Sequence, residues 1–381
     1  MAFFDIETLR VVWWVLLGVL LIAFALTDGY DLGVGALLPF VARGDAERRM
    51  VINAVGPHWE GHQVWFILGG GAIFAAWPFV YAVSFSGFYL AMFVVLAAMI
   101  LRPVGFKYRS RKADPAWRSR WDWALFAGGL VPALVFGVAV GNVLGGVPFR
   151  FDSDLRVFYL GSFFGLFSPF ALLAGLLSVA MLVLHGANWL VVKVEAGPVH
   201  RRARDFGFVA GLLSLVLFAV GGLWVAFGDL GFRLVGAADP MGPSNPLRGA
   251  VVAAPGAWLD NYRAAPLTLL APVAGIVGVV LALVANRARR EWAAFAGSSL
   301  ACAGIIATVG VSMFPFILPS SADAASSLTV WNASSTAHTL AIMLGVTVVF
   351  LPLILLYTTW AMRVMRGRVT TREVALNPDF Y

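Results

Sequence analysis

The sequence predicts an all-α, polytopic membrane protein of about nine transmembrane helices, and three observations carry that prediction. Of 381 residues, 60% are hydrophobic and only 12% are charged, far more apolar and less charged than a soluble globular chain. Nine stretches are apolar over the length that a bilayer core about 30 Å thick demands, roughly 20 residues of helix each. Lys and Arg also concentrate in every second connection between those stretches, as the orientation of membrane helices requires.

The nine segments run approximately over 9–38, 54–76, 79–101, 122–144, 160–184, 206–227, 266–285, 292–313 and 337–361, and together make one integral membrane domain over 1–381. Ahead of the first lie Asp5, Glu7 and a single Arg10. With no small-residue cleavage site after the apolar run, this start is expected to stay in the mature chain. Trp77-Pro78 separates the second segment from the third, because proline lacks a donor and disfavours helix at the residue before it. The long connection Gly228 to Ala265 contains Asp239-Pro240, Pro243-Ser244-Asn245-Pro246 and Pro255-Gly256, and is expected to form an irregular cap. The lone cysteine, Cys302, sits in an apolar run and is expected to be a small buried hydrophobe.

A net charge of +7 would suggest nucleic acid in a soluble chain. Here the charges occupy short loops, so no nucleic-acid partner is expected and the charges report topology. The connections after segments 1, 3, 5, 7 and 9 hold 21 of the 27 Lys and Arg residues, among them Arg43, Arg48, Arg49 and the run Arg102 to Arg120. The N-terminus is therefore expected outside and the C-terminus inside, which an odd helix number satisfies. Arg102-Pro103-Val104-Gly105-Phe106-Lys107-Tyr108-Arg109 reads as a stop-transfer and head-group anchor, with a partner contact as the lesser reading. Trp13, Trp14, Trp117, Trp121 and Trp123 suit interfacial belts.

Charged side chains near the middle of a bilayer cost roughly 2.5 to 3.5 kcal/mol on insertion scales and so mark candidate functional groups. Glu60 is the first of these. Counting 1.5 Å per residue from Asn53 puts it roughly 10 Å deep, with Trp65 nearer the midplane. Asp28 and Asp31, three residues apart, share a helix face and are expected at a similar depth. Gly29, Gly33 and Gly69-Gly70-Gly71 would let helices approach closely. For the three carboxylates two readings stand side by side. Asp28 and Asp31 end a helix in the head-group region and Glu60 bonds a neighbouring helix, or all three conduct protons, since a carboxylate taken out of water can exchange a proton near neutral pH.

His58 and His62, at i and i+4, have a metal-ligand spacing, but the sequence shows neither a third ligand nor a zinc-protease order. Two imidazoles on one helix face also cannot ligate haem from opposite sides. His185 and His338 read as helix-end residues and His200 as a loop residue, so no haem or metal ligand is expected in this chain.

The block Gly56-Pro57-His58-Trp59-Glu60-Gly61-His62-Gln63-Val64-Trp65, followed by Phe74-Ala75-Ala76-Trp77-Pro78, resembles the second helix of subunit II of cytochrome bd quinol oxidases. Four more blocks follow the family in order. They are Thr27-Asp28-Gly29-Tyr30-Asp31-Leu32-Gly33-Val34-Gly35, then Arg102-Pro103-Val104-Gly105-Phe106, then Gly141-Asn142 with Gly146-Val147-Pro148-Phe149, and Met313-Phe314-Pro315-Phe316 with Pro319-Ser320-Ser321.

The resemblance implies two four-helix bundles plus one peripheral helix in a bacterial inner membrane. It implies the haem-free second subunit of a quinol:oxygen oxidoreductase whose haem b and haem d belong to a partner subunit I, and leaves room for a structural quinone and small single-helix accessory subunits. Protons would reach the site of oxygen reduction from the cytoplasm past Glu60, Asp28 and Asp31, and oxygen would pass Trp65, which otherwise reads as a packing aromatic. Two positions depart from the family: His62, where many relatives carry Asn, and Asn332, where Asp is more frequent. The alternatives are a secondary transporter or ion channel built on the same carboxylates, against which no paired helix breaks are apparent, and a purely structural scaffold.

Overall fold

The computed structural model describes residues 5–236 and 239–376. The first expected segment is one continuous apolar stretch, Ile6–Val41, that breaks into α1 (Ile6–Leu26) and α2 (Asp28–Val41). At the break the Thr27 hydroxyl donates to the Ala23 carbonyl at 2.7 Å, and a new helical N-terminus opens at Asp28. A short α3 (Asp45–Asn53) follows.

The second expected segment is the one that departs most from expectation. Residues 54–58 form turns around Gly56-Pro57, and helix resumes as a single turn, α4 (Trp59–His62), then α5 (Val64–Ala76). At 1.5 Å per residue α5 is about 20 Å long, short of a bilayer core. Trp77 ends it and Pro78 opens α6 (Pro78–Gly87), as the Trp-Pro pair predicts. The third segment becomes α6 and α7 (Tyr89–Tyr108).

The remaining segments are the long helices α8 (Pro115–Gly145), α9 (Pro169–Lys193) and α10 (Pro198–Phe227), a five-residue α11 (Asp260–Ala264), α12 (Leu270–Arg287), α13 (Glu291–Met313) and α14 (Ala337–Val364). A short α15 (Thr371–Leu376) follows. Among the described residues, eight helical stretches are long and apolar enough to cross a membrane. The ninth expected span is the interrupted α4–α5 stretch.

Helix α9 is the hub, packing on α2, α8, α10 and α13, while α12 and α13 form an extensive antiparallel pair. Absent side chains permit these approaches. A Cβ on Gly33 of α2 would lie 2.0 Å from the Leu182 carbonyl oxygen of α9, and one on Gly304 of α13 would lie 2.2 Å from the Gly275 amide of α12. Gly69, Gly70 and Gly71 behave otherwise: a Cβ on any of them would meet nothing within 4 Å. They bring no neighbouring helix of the described residues close, although Gly69 is buried and only Gly71 lies with Ile67 and Phe74 on the exposed face of α5. Helix α14 is also peripheral, burying only Leu340.

One end of the helices is laced by ion pairs. Asp122 accepts from Arg109 at 2.5 Å and from Arg48 at 2.7 Å, and Asp45 bridges Arg109 at 2.9 Å and Arg118 at 2.7 Å. At the other end three two-stranded ribbons pair β1 (Phe149–Phe151) with β2 (Val157–Tyr159), β3 (Phe232–Leu234) with β4 (Val251–Ala253), and β5 (Phe316–Leu318) with β6 (Leu328–Thr329). The cap expected over Gly228 to Ala265 thus contains a ribbon. It is held by the fully buried Arg10, which donates to the carbonyls of Pro240 at 2.5 Å and Gly242 at 3.0 Å and to the hydroxyls of Ser244 at 2.9 Å and Ser334 at 2.7 Å. Trp13 is likewise buried, its indole donating to the Leu340 carbonyl at 2.9 Å, rather than standing in an interfacial belt. Cys302 is fully buried.

Asn332, where the resemblance leads to an expectation of Asp, closes the loop after β6. Its Oδ1 accepts from the Thr329 amide at 2.7 Å, and its Nδ2 donates to the Ser327 carbonyl at 3.0 Å. A carboxylate could accept but not donate here, so the amide is chosen by the loop's own hydrogen bonds.

Two tests follow. Reporter fusions at Arg48, Arg111, Arg202 and Arg289 should report the cytoplasmic side and a fusion within 228–265 the opposite side; identical signals from both groups would overturn the orientation read from the charges. Gly33→Ala, which drives a methyl into the α9 backbone, should sharply reduce recovery of folded protein, while Gly70→Ala should leave it unchanged, as measured by detergent-extracted yield.

Candidate functional site

The break at Thr27 decides where the acidic pair sits. Asp28 and Asp31 occupy the first turn of α2, deep within the apolar stretch rather than at its head-group end, and both are buried. A helix N-terminus presents unbonded amides and the positive end of the helix dipole, which favours anions. The larger compensation comes from α7. Arg102, 3% exposed, donates to Asp28 through both terminal nitrogens at 3.0 and 2.8 Å, and one of them lies 3.9 Å from Asp31. The guanidinium also lies 5.6 Å from the centre of the Trp59 ring. Arg102 is thus not the head-group anchor that the basic run suggests: α7 continues six residues past it, so the start of that run is carried inside the protein.

Asp31 turns to the histidines. Its Oδ2 lies 2.7 Å from His62 Nδ1, and His62 Nε2 lies 3.4 Å from the Tyr30 hydroxyl. His62, a departure from the family to which no role was attached, therefore stands at the centre of the cluster. His58 packs beside it with ring centres 4.9 Å apart. Tyr30 is surrounded by His58, His62 and His185, and stacks on Trp189 at 4.2 Å. His185 lies inside α9 rather than at a helix end. Both its ring nitrogens are engaged, with Ser298 at 2.9 Å and the Leu26 carbonyl at 3.1 Å. His200 pairs with Glu291 at 2.9 Å, and His338 is exposed.

Glu60 does not join Asp28 and Asp31. It is exposed while His58 and His62, two residues to either side, are buried. Positions i and i+2 point to nearly opposite sides of a helical turn. A count of 1.5 Å per residue from Asn53 does not apply here, because residues 54–58 turn instead of rising as a helix. Trp65 is 4% exposed, one turn beyond, under the apolar outer face of α5. A cavity of about 20 Å³ opens beside Asp31 and Arg102, walled by Val34, Leu38, Val51 and Val55, enough for one water molecule.

These contacts gather the blocks at Asp28–Asp31, His58–His62 and Arg102 around one buried centre. Comparisons with known proteins place the chain as a whole. Residues 9–365 match the family described as cytochrome bd terminal oxidase subunit II. The chain is 49% identical over 98% of both lengths to cytochrome bd-I ubiquinol oxidase subunit 2 of Escherichia coli K12. It is 48% identical, again over 98% of both, to the probable cytochrome oxidase subunit 2 of Haemophilus influenzae. In three dimensions it is similar to a chain of the bd oxidase of Geobacillus thermodenitrificans, with a TM-score of 0.65 at 16% identity, covering 94% of this chain and 98% of that one. With a family match over nearly the whole chain and near-half identity at full coverage, this chain belongs to the cytochrome bd terminal oxidase subunit II family.

Proposed function

We propose that this chain is the haem-free second subunit of a bd-type terminal oxidase in a bacterial inner membrane, and that it gives protons and oxygen access to haems held by subunit I while supporting that subunit. Membership of the family makes it a subunit of a quinol:oxygen oxidoreductase, a haem-dependent complex built with a subunit I. In this proposal haem b and haem d, and the quinol that reduces them, lie with the partner.

The observation that carries the proton reading is the buried run Asp28–Arg102–Asp31–His62–Tyr30, each member within 3.9 Å of the next. Polar groups this costly persist in an apolar interior where they serve a path for charge. The division of labour differs from one shared by three equivalent carboxylates. Asp28 is committed to a bidentate pair and holds Arg102 in place. Asp31 and His62 share a short contact that a proton can cross, next to a cavity with room for one water. Glu60, on the surface of this chain, offers the carboxylate from which protons pass inward. For oxygen, Trp65 lies beneath the exposed apolar face of α5, a surface through which a small apolar molecule passes without desolvation cost. Among the described residues the helix break at Thr27 has no counterpart at a corresponding place in a second half of the chain, and family membership displaces the transporter alternative.

Glu60→Gln should slow oxygen consumption with excess quinol several-fold per haem, whereas Glu60→Asp, which keeps a titratable group, should retain much more activity; equal wild-type rates for both across pH would remove Glu60 from the path. Asp28→Asn should act differently. It leaves the buried guanidinium with only the 3.9 Å approach of Asp31 as a charge partner, and breaking a buried pair typically costs about 3–5 kcal/mol, so the loss should appear in the yield of assembled complex. His62→Asn and His58→Gln should leave the visible haem spectrum of the complex unaltered, and loss of a haem band in either would place a haem ligand in this chain.

A further inference from the structure

The sequence offers His58 and His62 at metal-ligand spacing but no third ligand; the fold supplies one from another helix. Asp31, in the first turn of α2, brings a carboxylate oxygen to within 4.8 Å of a ring nitrogen of each histidine, and all three residues are buried. Two of the buried polar atoms in this cluster, Asp31 Oδ1 and His58 Nδ1, have no hydrogen-bond partner, in residues 2% and 9% exposed. Buried polar atoms are almost always paired, so two orphans in one cluster point to an occupant that is neither a side chain nor the backbone.

We propose that Asp31, His58 and His62 form a binding site for a divalent transition-metal ion of the Zn²⁺ class. The donor set is two imidazoles and one carboxylate, which is the composition of three-ligand zinc sites that keep a fourth position open to water. Ligand atoms about 2.0–2.1 Å from a tetrahedral ion lie about 3.3 Å apart, so the three side chains close in by about 1.5 Å at most. The charge also suits a dication. Arg102 makes its short contacts, 2.8 and 3.0 Å, to Asp28 and only a 3.9 Å approach to Asp31, which leaves the Asp31 carboxylate for the ion. Tyr30 stands behind His62 at 3.4 Å, where an outer hydroxyl fixes the orientation of a ligating ring. Hard oxygen-seeking cations such as Mg²⁺ and Ca²⁺ are excluded by the imidazole majority. The inference stands on ligand geometry and not on the proposed proton path: an ion bound here would replace the direct Asp31–His62 contact, and protons would then pass by a water on the ion's open position.

The test uses the intact complex purified with its subunit I, stripped with a chelator and dialysed against graded Zn²⁺, with bound zinc and haem iron measured together by mass spectrometry. The wild-type complex should bind one more zinc per complex than His58→Gln or His62→Asn, or bind it at least tenfold more tightly, with haem content equal in all three as the check on folding. His200→Gln, which removes a surface histidine paired with Glu291, should bind as the wild type does. X-ray absorption at the zinc edge of the wild type should show two imidazoles with oxygen completing the shell. Zinc uptake identical in the wild type and the His58 and His62 variants, or a zinc shell without imidazole, would overturn the proposal; so would a wild-type complex that takes up no zinc, which would leave the two orphaned atoms to water. If His62→Asn fails to assemble, His58→Gln and the wild-type absorption spectrum decide alone, since His58 Nδ1 bonds to nothing in the chain.

Discussion

The arrangement depends on one buried ion pair, Arg102 with Asp28. Removing either charge from water costs several kcal/mol, and the pair is tolerated only because two hydrogen bonds of 2.8 and 3.0 Å join the groups in parallel. The break at Thr27 places the N-terminus of α2 against this guanidinium, so helix dipole and cation compensate the same carboxylate. Once Asp28 holds Arg102, α7 is pinned to α2 at a fixed height. Asp31, one turn along, is then left facing His62 and the aromatic groups around Tyr30. The partition of roles between the two aspartates thus follows from which of them the arginine reaches first.

Much of this was legible in the sequence, because hydropathy is a property of long stretches. All but one of the expected segments contain a long apolar helix, the Trp77-Pro78 boundary falls where proline demands it, and the buried acidic pair on one face was visible from spacing. What escaped depends on direction rather than depth. Glu60 and His62 differ by two residues, and a count along the chain assigns both to the same level while the helical turn sends one outward and the other inward. Arg102 was read with the basic residues after it, since nothing in a linear run tells the last interior arginine from the first cytoplasmic one. The histidine pair lacked a third group only because Asp31 lies 27 residues before His58 in the chain and meets it through the fold.

The exposed apolar faces have a physical meaning that sequence patterns could not supply. In water an apolar face must be covered, but lipid tails are as apolar as leucine, so a membrane helix shows no amphipathic stripe to mark its neighbours. Gly69-Gly70-Gly71 illustrates the consequence. Small residues in a row signal close approach, yet here a Cβ on any of them would meet nothing within 4 Å, so they bring no other helix of the described residues close. The outer face of α5 and nearly all of α14 are open in the same way.

His62 shows how much the choice of one side chain decides in a buried cluster. An asparagine at this place could donate one hydrogen bond to Asp31, but its side chain is shorter than that of histidine. The imidazole carries its two nitrogens on either side of Cε1 with widely splayed bonding directions, so that Nδ1 lies 2.7 Å from Asp31 and Nε2 lies 3.4 Å from the Tyr30 hydroxyl. An imidazole can accept at one nitrogen while it donates at the other, so His62 can bond Asp31 and Tyr30 at once. His62 thus extends the buried polar run from Asp31 to Tyr30 and places a second imidazole beside His58. Both consequences arise from the same geometry, an imidazole facing a carboxylate.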